Sequence, residues 1–442
     1  MYFSHSRFFI GANLQKQSPL GKALSLGMQI LYSIAVQLIR CTLYIVPISG
    51  KTKQFVNGRK RIWDDLKTIP SDREVIWMHC ASFGEYEQGL PILKALKTKN
   101  PQAFYLVSFF SPSGYLVKKT HQVADLTTYL PWDNRTDVRR FVKKVQPTKV
   151  LFIKYEFWPN LLLELHNQKI PTFLIAGLFR PHQVFFKPWG GWYRRLLKGF
   201  THLFVQNEAS QNLLLGIGIK QVSVSGDTRF DRVNLSNEKL AFMAQFVMNR
   251  QCIIAGSVWS EDLSILKESI ANTPAGWCWL IAPHEINDQR IESLMNRLPS
   301  ESQRYTQCER KFLSKTSVLV LDTIGLLSSC YQYAQIAYVG GGMRTKGLHN
   351  ILEPAAAGIP IVIGKNYDRF PETVALIQQG GVVSISSQYE ARKNLLLLMQ
   401  DNRIRKEKGD INQRFIQANM GATKRVLDKL GQPFQNLKEY FY

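Results

Sequence analysis

The sequence predicts a two-domain α/β protein in which each half is a doubly wound parallel sheet covered by helices. Three observations predict it. Short apolar runs alternate with amphipathic helical stretches from about residue 74 to 225, the rhythm of βαβ units. The same rhythm restarts at about residue 252. The chain has 442 residues and 45% hydrophobic content, too long for one ordinary domain and apolar enough for two cores.

The first half places strands at 75–79, 103–108, 126–130, 149–153, 172–175 and 202–205. Helical stretches such as 136–145 and 208–216 lie between them. The second half places strands at 252–255, 277–282, 317–321, 335–339, 359–363 and 382–385, and ends in a helical stretch at about 411–430. Residues 226–251 carry few apolar runs and read as the connection between a domain at 51–225 and a domain at 252–442.

Residues 1–23 are a polar extension without the layout of a signal peptide. The membrane-associated helix is expected within 24–50. Leu24 to Ile48 is the most apolar long stretch, with Arg40 its only charge. Leu31, Ile34, Ala35 and Leu38 fall on one helical face, and Lys51, Lys53, Arg59, Lys60 and Arg61 follow at once. The stretch just reaches spanning length, so a spanning anchor, an in-plane helix and a buried soluble helix all remain open. The cationic cluster argues that its side is cytoplasmic.

The formal charge is +23. Residues 1–225 hold 30 Lys+Arg against 12 Asp+Glu, whereas 226–442 hold 26 against 21. So basic a first half suits nucleic acid or an anionic lipid surface. With no RNP pattern and no zinc finger, nucleic acid is not expected, and a membrane or phosphorylated lipid fits better. Six scattered cysteines without a C-x-x-C pair indicate free thiols in a reducing compartment. Eight histidines without an H-E-x-x-H cluster give no zinc site.

Val75 to Gly89 reads V-I-W-M-H-C-A-S-F-G-E-Y-E-Q-G. A buried strand runs into a loop of mostly small residues, and Glu85 opens a helix with Leu90, Leu93 and Leu96 at core-facing spacing. That is where open α/β sheets place their ligands. A helix N-terminus favours an ionised carboxylate, and a first-turn acid with no further role fits the spacing equally well. Lys154-Tyr155-Glu156-Phe157-Trp158-Pro159-Asn160 sets a second carboxylate at a strand's carboxyl end, where a salt bridge to Lys154 or Arg180 is the structural alternative. Phe179-Arg180-Pro181 and Phe185 to Arg195 mix aromatics with cations, as a lipid-phosphate surface or a loop folded onto the core would.

Arg229, in Gly226-Asp227-Thr228-Arg229-Phe230-Asp231, can neutralise a leaving group or form a hinge salt bridge. Gly340-Gly341-Gly342 allow close approach to a phosphate, and a helix starting near His349 or Asn350 would point free N–H groups at it. Glu353 follows one turn later, placed to accept from ribose hydroxyls. This combination looks like the nucleotide half of a sugar-nucleotide transferase. No D-x-D motif occurs, which favours a metal-free site.

Four motifs in order, S-x-G-E at Ser82–Glu85, E-x-W-P-N at Glu156–Asn160, G-x-x-[KR]-F-D at Gly226–Asp231 and G-x-H-N-x-x-E-P at Gly347–Pro354, resemble the 3-deoxy-D-manno-octulosonic acid (Kdo) transferases. The resemblance runs from about Met28 onward, and Cys80-Ala81-Ser82 and Phe185-Phe186-Lys187 look like the Bacteroidetes-type version. It implies a GT-B fold, two Rossmann-like domains facing a cleft. It implies inverting, metal-independent transfer of Kdo from CMP-Kdo to the lipid A precursor lipid IVA on the cytoplasmic face of the inner membrane, with no cofactor.

By motif match Glu85 is the general base, and Glu156 and Arg229 stabilise the transition state. CMP contacts fall on Pro283 and His284, on Ile324, Gly325 and Leu326, and on Asn350, Ile351, Leu352 and Glu353. The family often has Pro-Arg at 283–284, Met-Gly-Glu at 324–326 and lysine at 229, so some of these contacts run through backbone. A different GT-B enzyme using a UDP- or GDP-sugar, and a non-catalytic membrane-bound nucleotide- or lipid-binding protein, are the alternatives.

Overall fold

The structure is a computed structural model that describes residues 19–46, 48–115, 123–233, 239–345 and 347–431. Most of the expected polar extension, residues 1–18, lies outside the described residues. The chain divides into two compact units, one ending at Thr228 and resuming at Gly421, the other running from Arg229 to Met420.

The first unit holds β1 (Val75–Cys80), β2 (Phe104–Phe109), β3 (Leu126–Tyr129), β4 (Lys149–Ile153), β5 (Thr172–Gly177), β6 (His202–Val205) and β7 (Val222–Val224). Their order is β3-β2-β1-β4-β5-β6-β7, all parallel. The second holds β8 (Gln251–Val258), β9 (Trp277–Pro283), β10 (Gln303–Arg304), β11 (Val318–Val320), β12 (Ile336–Val339), β13 (Ile361–Gly364) and β14 (Val382–Ile385). Their order is β10-β11-β9-β8-β12-β13-β14, also parallel. Every strand predicted from sequence is present. The two that pattern reading misses, β7 and β10, span three and two residues, too short to show a period.

Both sheets are buried on both faces, which is why their strands read as continuous apolar runs. In β1, Trp77 faces a core with Leu106 and Phe141, while Ile76 and Met78 face another with Leu93 and Val107. In each order the chain reverses direction beside the first strand, between β1 and β4 and between β8 and β12. Ligands of doubly wound folds bind at such switch points, at the strands' carboxyl ends.

The sequence reading assigns the last helical stretch to the second domain as one element. It is instead two helices, Asn402–Asn419 and Ala422–Leu430, separated where Gly421 turns to φ +93°. The second of them returns to the first unit. Val426 and Leu430 bury in the core that contains Ile76 and Leu93, and Arg425 Nε donates to Ser225 O at 2.7 Å.

Gly342 and Gly364 let two backbones cross after β12 and β13. A Cβ on Gly364 would lie 2.4 Å from the Gly342 carbonyl carbon. Gly364→Ala is therefore expected to cost about 1–3 kcal/mol as overpacking against backbone that cannot yield. Thermal unfolding of the variant checks this, and an unchanged Tm contradicts it.

The N-terminal helix runs Pro19–Ile45, beginning earlier than the apolar stretch suggested because residues 19–23 are also helical. It is long and apolar enough, by length and composition, to cross a membrane. One edge is bonded to the first unit. Gln29 Nε2 donates to Asn160 Oδ1 at 3.1 Å, Asn160 Nδ2 donates to Ser33 Oγ at 3.1 Å, and Arg40 pairs with Asp137 at 2.8 Å. The predicted apolar face points away, with Leu31 63%, Ile34 50% and Leu38 63% exposed, which removes the buried-helix alternative.

Candidate active site

The first unit gathers its carboxylates at its switch point. β1 ends at Cys80, and the helix Phe83–Lys99 begins three residues later with Glu85 in its first turn. β4 ends at Ile153, and Lys154 takes φ +67°, an uncommon conformation for a side-chain-bearing residue. Glu156 and Trp158 follow, and Pro159 starts the next helix, Pro159–Asn167.

Glu85 has the capping role its spacing allowed, since its Oε2 accepts the Ser82 N–H at 3.0 Å. Its titration differs from the expectation for a helix N-terminus. Burial and the charge of Glu156 push the carboxyl up to about 7, outweighing the backbone N–H groups of Ala81 and Ser82 and the charge of Lys154. A half-buried carboxyl that titrates near neutrality is suited to taking and returning a proton.

Glu156 is buried and held differently. Trp158 Nε1 donates to its Oε2 at 2.7 Å, and His79 Nε2 lies 3.0 Å from the same oxygen. His79 Nδ1 is 2.8 Å from Ser108 Oγ, which accepts from Trp77 Nε1 at 2.7 Å. Nδ1 also lies 3.1 Å from the Ser108 carbonyl oxygen, and Trp158 Nε1 lies 3.1 Å from Nε2. In the tautomer with Nε2–H, the ring donates to Glu156 while Nδ1 accepts from the Ser108 hydroxyl. Trp158 leans on Phe110, ring centroids 4.7 Å apart, which builds an aromatic wall. The arrangement therefore sets a protonatable carboxyl beside one fixed by two donors.

The aromatics of 179–195 serve mainly as core. Phe179 and Phe185 are buried and meet Phe157 edge-on or tilted, while Arg194 donates to the carbonyls of Phe185 and Lys187. Trp189 stays 75% exposed. This is the loop-on-core alternative rather than a broad lipid-facing patch.

In the second unit, Pro283 ends β9, and His284 stacks between Trp259 and His349 at ring distances of 4.2 and 4.3 Å. Trp259 Nε1 donates to His349 Nε2 at 3.0 Å, and the Arg344 guanidinium lies 3.9 Å over the Trp259 ring. Burial lowers the pKa of both imidazoles, with His349 down to about 4, so both are neutral near pH 7. Asp262 organises this end of β8. It accepts the N–H groups of Trp259 and Gly341, each at 2.9 Å, and the Tyr338 hydroxyl at 2.8 Å.

The triple glycine is occupied by the fold. A Cβ on Gly340 would strike Ser257 O at 2.3 Å, and Gly342 meets Gly364. The following helix is Leu352–Ala356, beginning later than predicted, and Asn350 Oδ1 accepts from Leu352 N at 3.1 Å. Ile351 and Leu352 are buried in the core, so they offer backbone only. Glu353 is raised by burial and faces the charge of Arg232. Ile324 is 87% exposed and Gly325 takes φ +96°, so this turn presents its backbone, and Leu326 caps the helix Leu327–Cys330. Arg229 pairs with Glu372 at 3.1 Å, the salt-bridge alternative.

The structure thus brings Glu85 together with Glu156 in one unit and His284 with His349 in the other. Residues 57–232 match the profile of the 3-Deoxy-D-manno-octulosonic-acid transferase (kdotransferase) family. The 3-deoxy-D-manno-octulosonic acid transferase of Haemophilus influenzae is 27% identical over 90% of this chain and 96% of its own length. That of Aquifex aeolicus is 26% identical over 67% of this chain and 78% of its own. The chain is thus similar to Kdo transferases along most of its length. It is accordingly a glycosyltransferase of the GT-B fold. A UDP-GlcNAc 2-epimerase from Neisseria meningitidis, solved with UDP-GlcNAc, shares that fold at TM-score 0.56 and 17% identity, over 81% of this chain and 99% of its own.

The matched segment of this chain spans positions 85, 156 and 229. Sequence reasoning missed His79, Trp259, Asp262 and Arg344. Asp262 left a partial signal, an acid three residues past the N-cap position of the helix after a strand, as Glu85 is past Ser82. His79 and Arg344 carry no local signal, because their partners come from elsewhere in the chain.

Proposed function

We propose that this protein moves Kdo from CMP-Kdo to a sugar hydroxyl of a lipid A precursor, with inversion and without a metal. The observation that carries the reading is a carboxyl titrating near 7, Glu85, beside the fixed carboxylate of Glu156 at the switch point of the first unit.

Glu85 accepts the proton of the acceptor hydroxyl as that oxygen attacks the anomeric carbon of Kdo, and the bond to the CMP phosphate breaks. One displacement needs one base. Glu156 stabilises the positive charge that grows on the sugar ring, by analogy with oxocarbenium-like glycosidase transition states. Arg229 exchanges Glu372 for the departing phosphate. The cytidine lies on the second unit against Pro283, the stacked His284 and the backbone at Gly325, and its ribose reaches Glu353.

The N-terminal helix seats the enzyme in the plane of the inner membrane's cytoplasmic surface. Its bonds to the first unit run from Gln29 to Arg40, about 16 Å of helix at 1.5 Å per residue. A helix held along the protein over that length has too little left to cross a bilayer core of about 30 Å. The basic first half suits anionic headgroups.

Incubation of the full chain with CMP-Kdo and a tetraacylated lipid A precursor, read by mass, tests the proposal. A product heavier by one Kdo residue or more is expected, and an unchanged acceptor overturns it. Thermal-shift comparison of CMP with UDP and GDP separates the alternative donors, and stabilisation by UDP or GDP alone contradicts CMP-Kdo. Among the described residues no three His, Cys, Asp or Glu side chains gather as a metal site would need. Activity is expected to survive EDTA, and loss restored by a divalent ion contradicts the metal-free reading.

A further inference from the structure

The N-terminal helix does more than lie beside the first unit. We propose that its polar edge, Gln29, Tyr32 and Ser33, is a positioning element that fixes the Glu156–Trp158 segment through Asp133 and Asn160. This rests on the proposed role of Glu156.

The start of the Pro159–Asn167 helix explains the need. Its N-cap residue is Trp158, whose side chain makes no capping bond and is committed to Glu156. The first backbone N–H groups of a helix have no partner within it. Here Asp133, fully buried, supplies one from another loop. Its Oδ2 accepts from Asn160 N at 3.1 Å and its Oδ1 from Leu161 N at 2.9 Å.

Such a carboxylate is costly to keep ionised. Burial pushes Asp133 up to about 6, and the bond from the Tyr32 hydroxyl is the first of the forces that oppose it. Asn160 is tied to the same helix, receiving the Gln29 amide and donating to both Ser33 Oγ and the Asp133 carbonyl. Tyr32 also meets Trp192 at a ring distance of 6.1 Å. Three side chains on adjacent turns of one helix therefore complete the bonding of the two residues that anchor the next helix. Only Phe157, Trp158 and Pro159 separate Asn160 from Glu156.

Were the helix only a lipid tether, cutting these bonds would weaken attachment and leave turnover intact. As a positioning element it sets the height of Trp158, and with it the indole donor on Glu156. A misplacement of about 1 Å at such a distance can cost on the order of 100-fold in rate.

The test uses the full chain with CMP-Kdo and acceptor in detergent micelles, where vesicle attachment does not limit the rate. Tyr32→Phe/Ser33→Ala is expected to lower kcat by about 10-fold or more with both KM values within about twofold. Ser33→Thr, which keeps the hydroxyl, is expected to stay within about twofold of the parent. Hydrogen exchange over residues 156–162 is read on the same proteins and does not depend on activity. It is expected to quicken in the double variant and stay slow in Ser33→Thr. Unchanged kcat with a raised acceptor KM, or unchanged exchange in the double variant, overturns the proposal. An inactive parent whose double variant still shows quickened exchange counts against the Kdo-transfer reading and supports the brace.

Discussion

Glu85→Gln is expected to lose about 100- to 10,000-fold in kcat, the usual worth of a positioned general base, while binding CMP-Kdo as tightly as the parent. The amide oxygen still accepts the Ser82 N–H, so the helix keeps its cap and only the basicity goes. The parent enzyme should show the same group in its pH profile. Glu85 must be ionised to accept a proton, and its pKa of about 7 makes activity fall about tenfold per unit below that value. Stability runs the other way. A carboxyl raised above its unfolded value near 4.3 stabilises the fold below that pH, and this contribution is lost as pH rises through about 7. Glu85→Gln should therefore melt at or above the parent temperature at pH 8, which separates lost chemistry from lost folding. Near-normal turnover, or an acidic limb that the variant retains, removes Glu85 from the role.

That a carboxylate stands at position 85, just past a strand's carboxyl end, was legible because strand, small-residue loop and first-turn acid occupy one continuous stretch, 75–89. What it does was not legible. The sequence suggests an N-terminal acid held low by its helix, whereas burial and Glu156, which lies 71 positions away in the chain, raise it. Parallel strands are legible for a related reason, since burial on both faces makes each an apolar run whoever its neighbours are. Domain assignment of the last helix fails where local pattern is blind. Residues 422–430 read as a helix, but nothing within them says that Val426 will share a core with Leu93.

The glycines teach the converse lesson. Gly340 to Gly342 suggest a phosphate loop by composition, and the structure spends them on Ser257 and Gly364. The stacked rings at this end of the sheet are Trp259, His284 and His349, which follow three different strands in the chain. Such a stack has no sequence period to betray it. The same holds for Arg40, which looks like a flaw in a spanning segment and is the ion-pair partner of Asp137. A charge that interrupts an apolar helix can mark the edge that docks.

The pair of carboxylates makes a second strong expectation. Glu156→Gln should lower kcat by about 100- to 1,000-fold, the scale found when one fixed electrostatic group is removed from a reacting centre. The fold should survive, because an amide can still accept from Trp158 Nε1, while His79 keeps its bond to Ser108. The decisive readout is the residual activity's dependence on pH. Glu156 is one of the two causes that raise Glu85, so removing its charge lowers the Glu85 pKa and moves the acidic limb below about 7. A rate loss without that movement means the two groups act independently, and an upward movement means the coupling has the wrong sign. His79→Ala provides the complementary case. It leaves Glu156 charged but with Trp158 as its remaining named donor, so the limb should stay near 7 while kcat falls. The two variants together distinguish a carboxylate that works by its charge from one that works by its place.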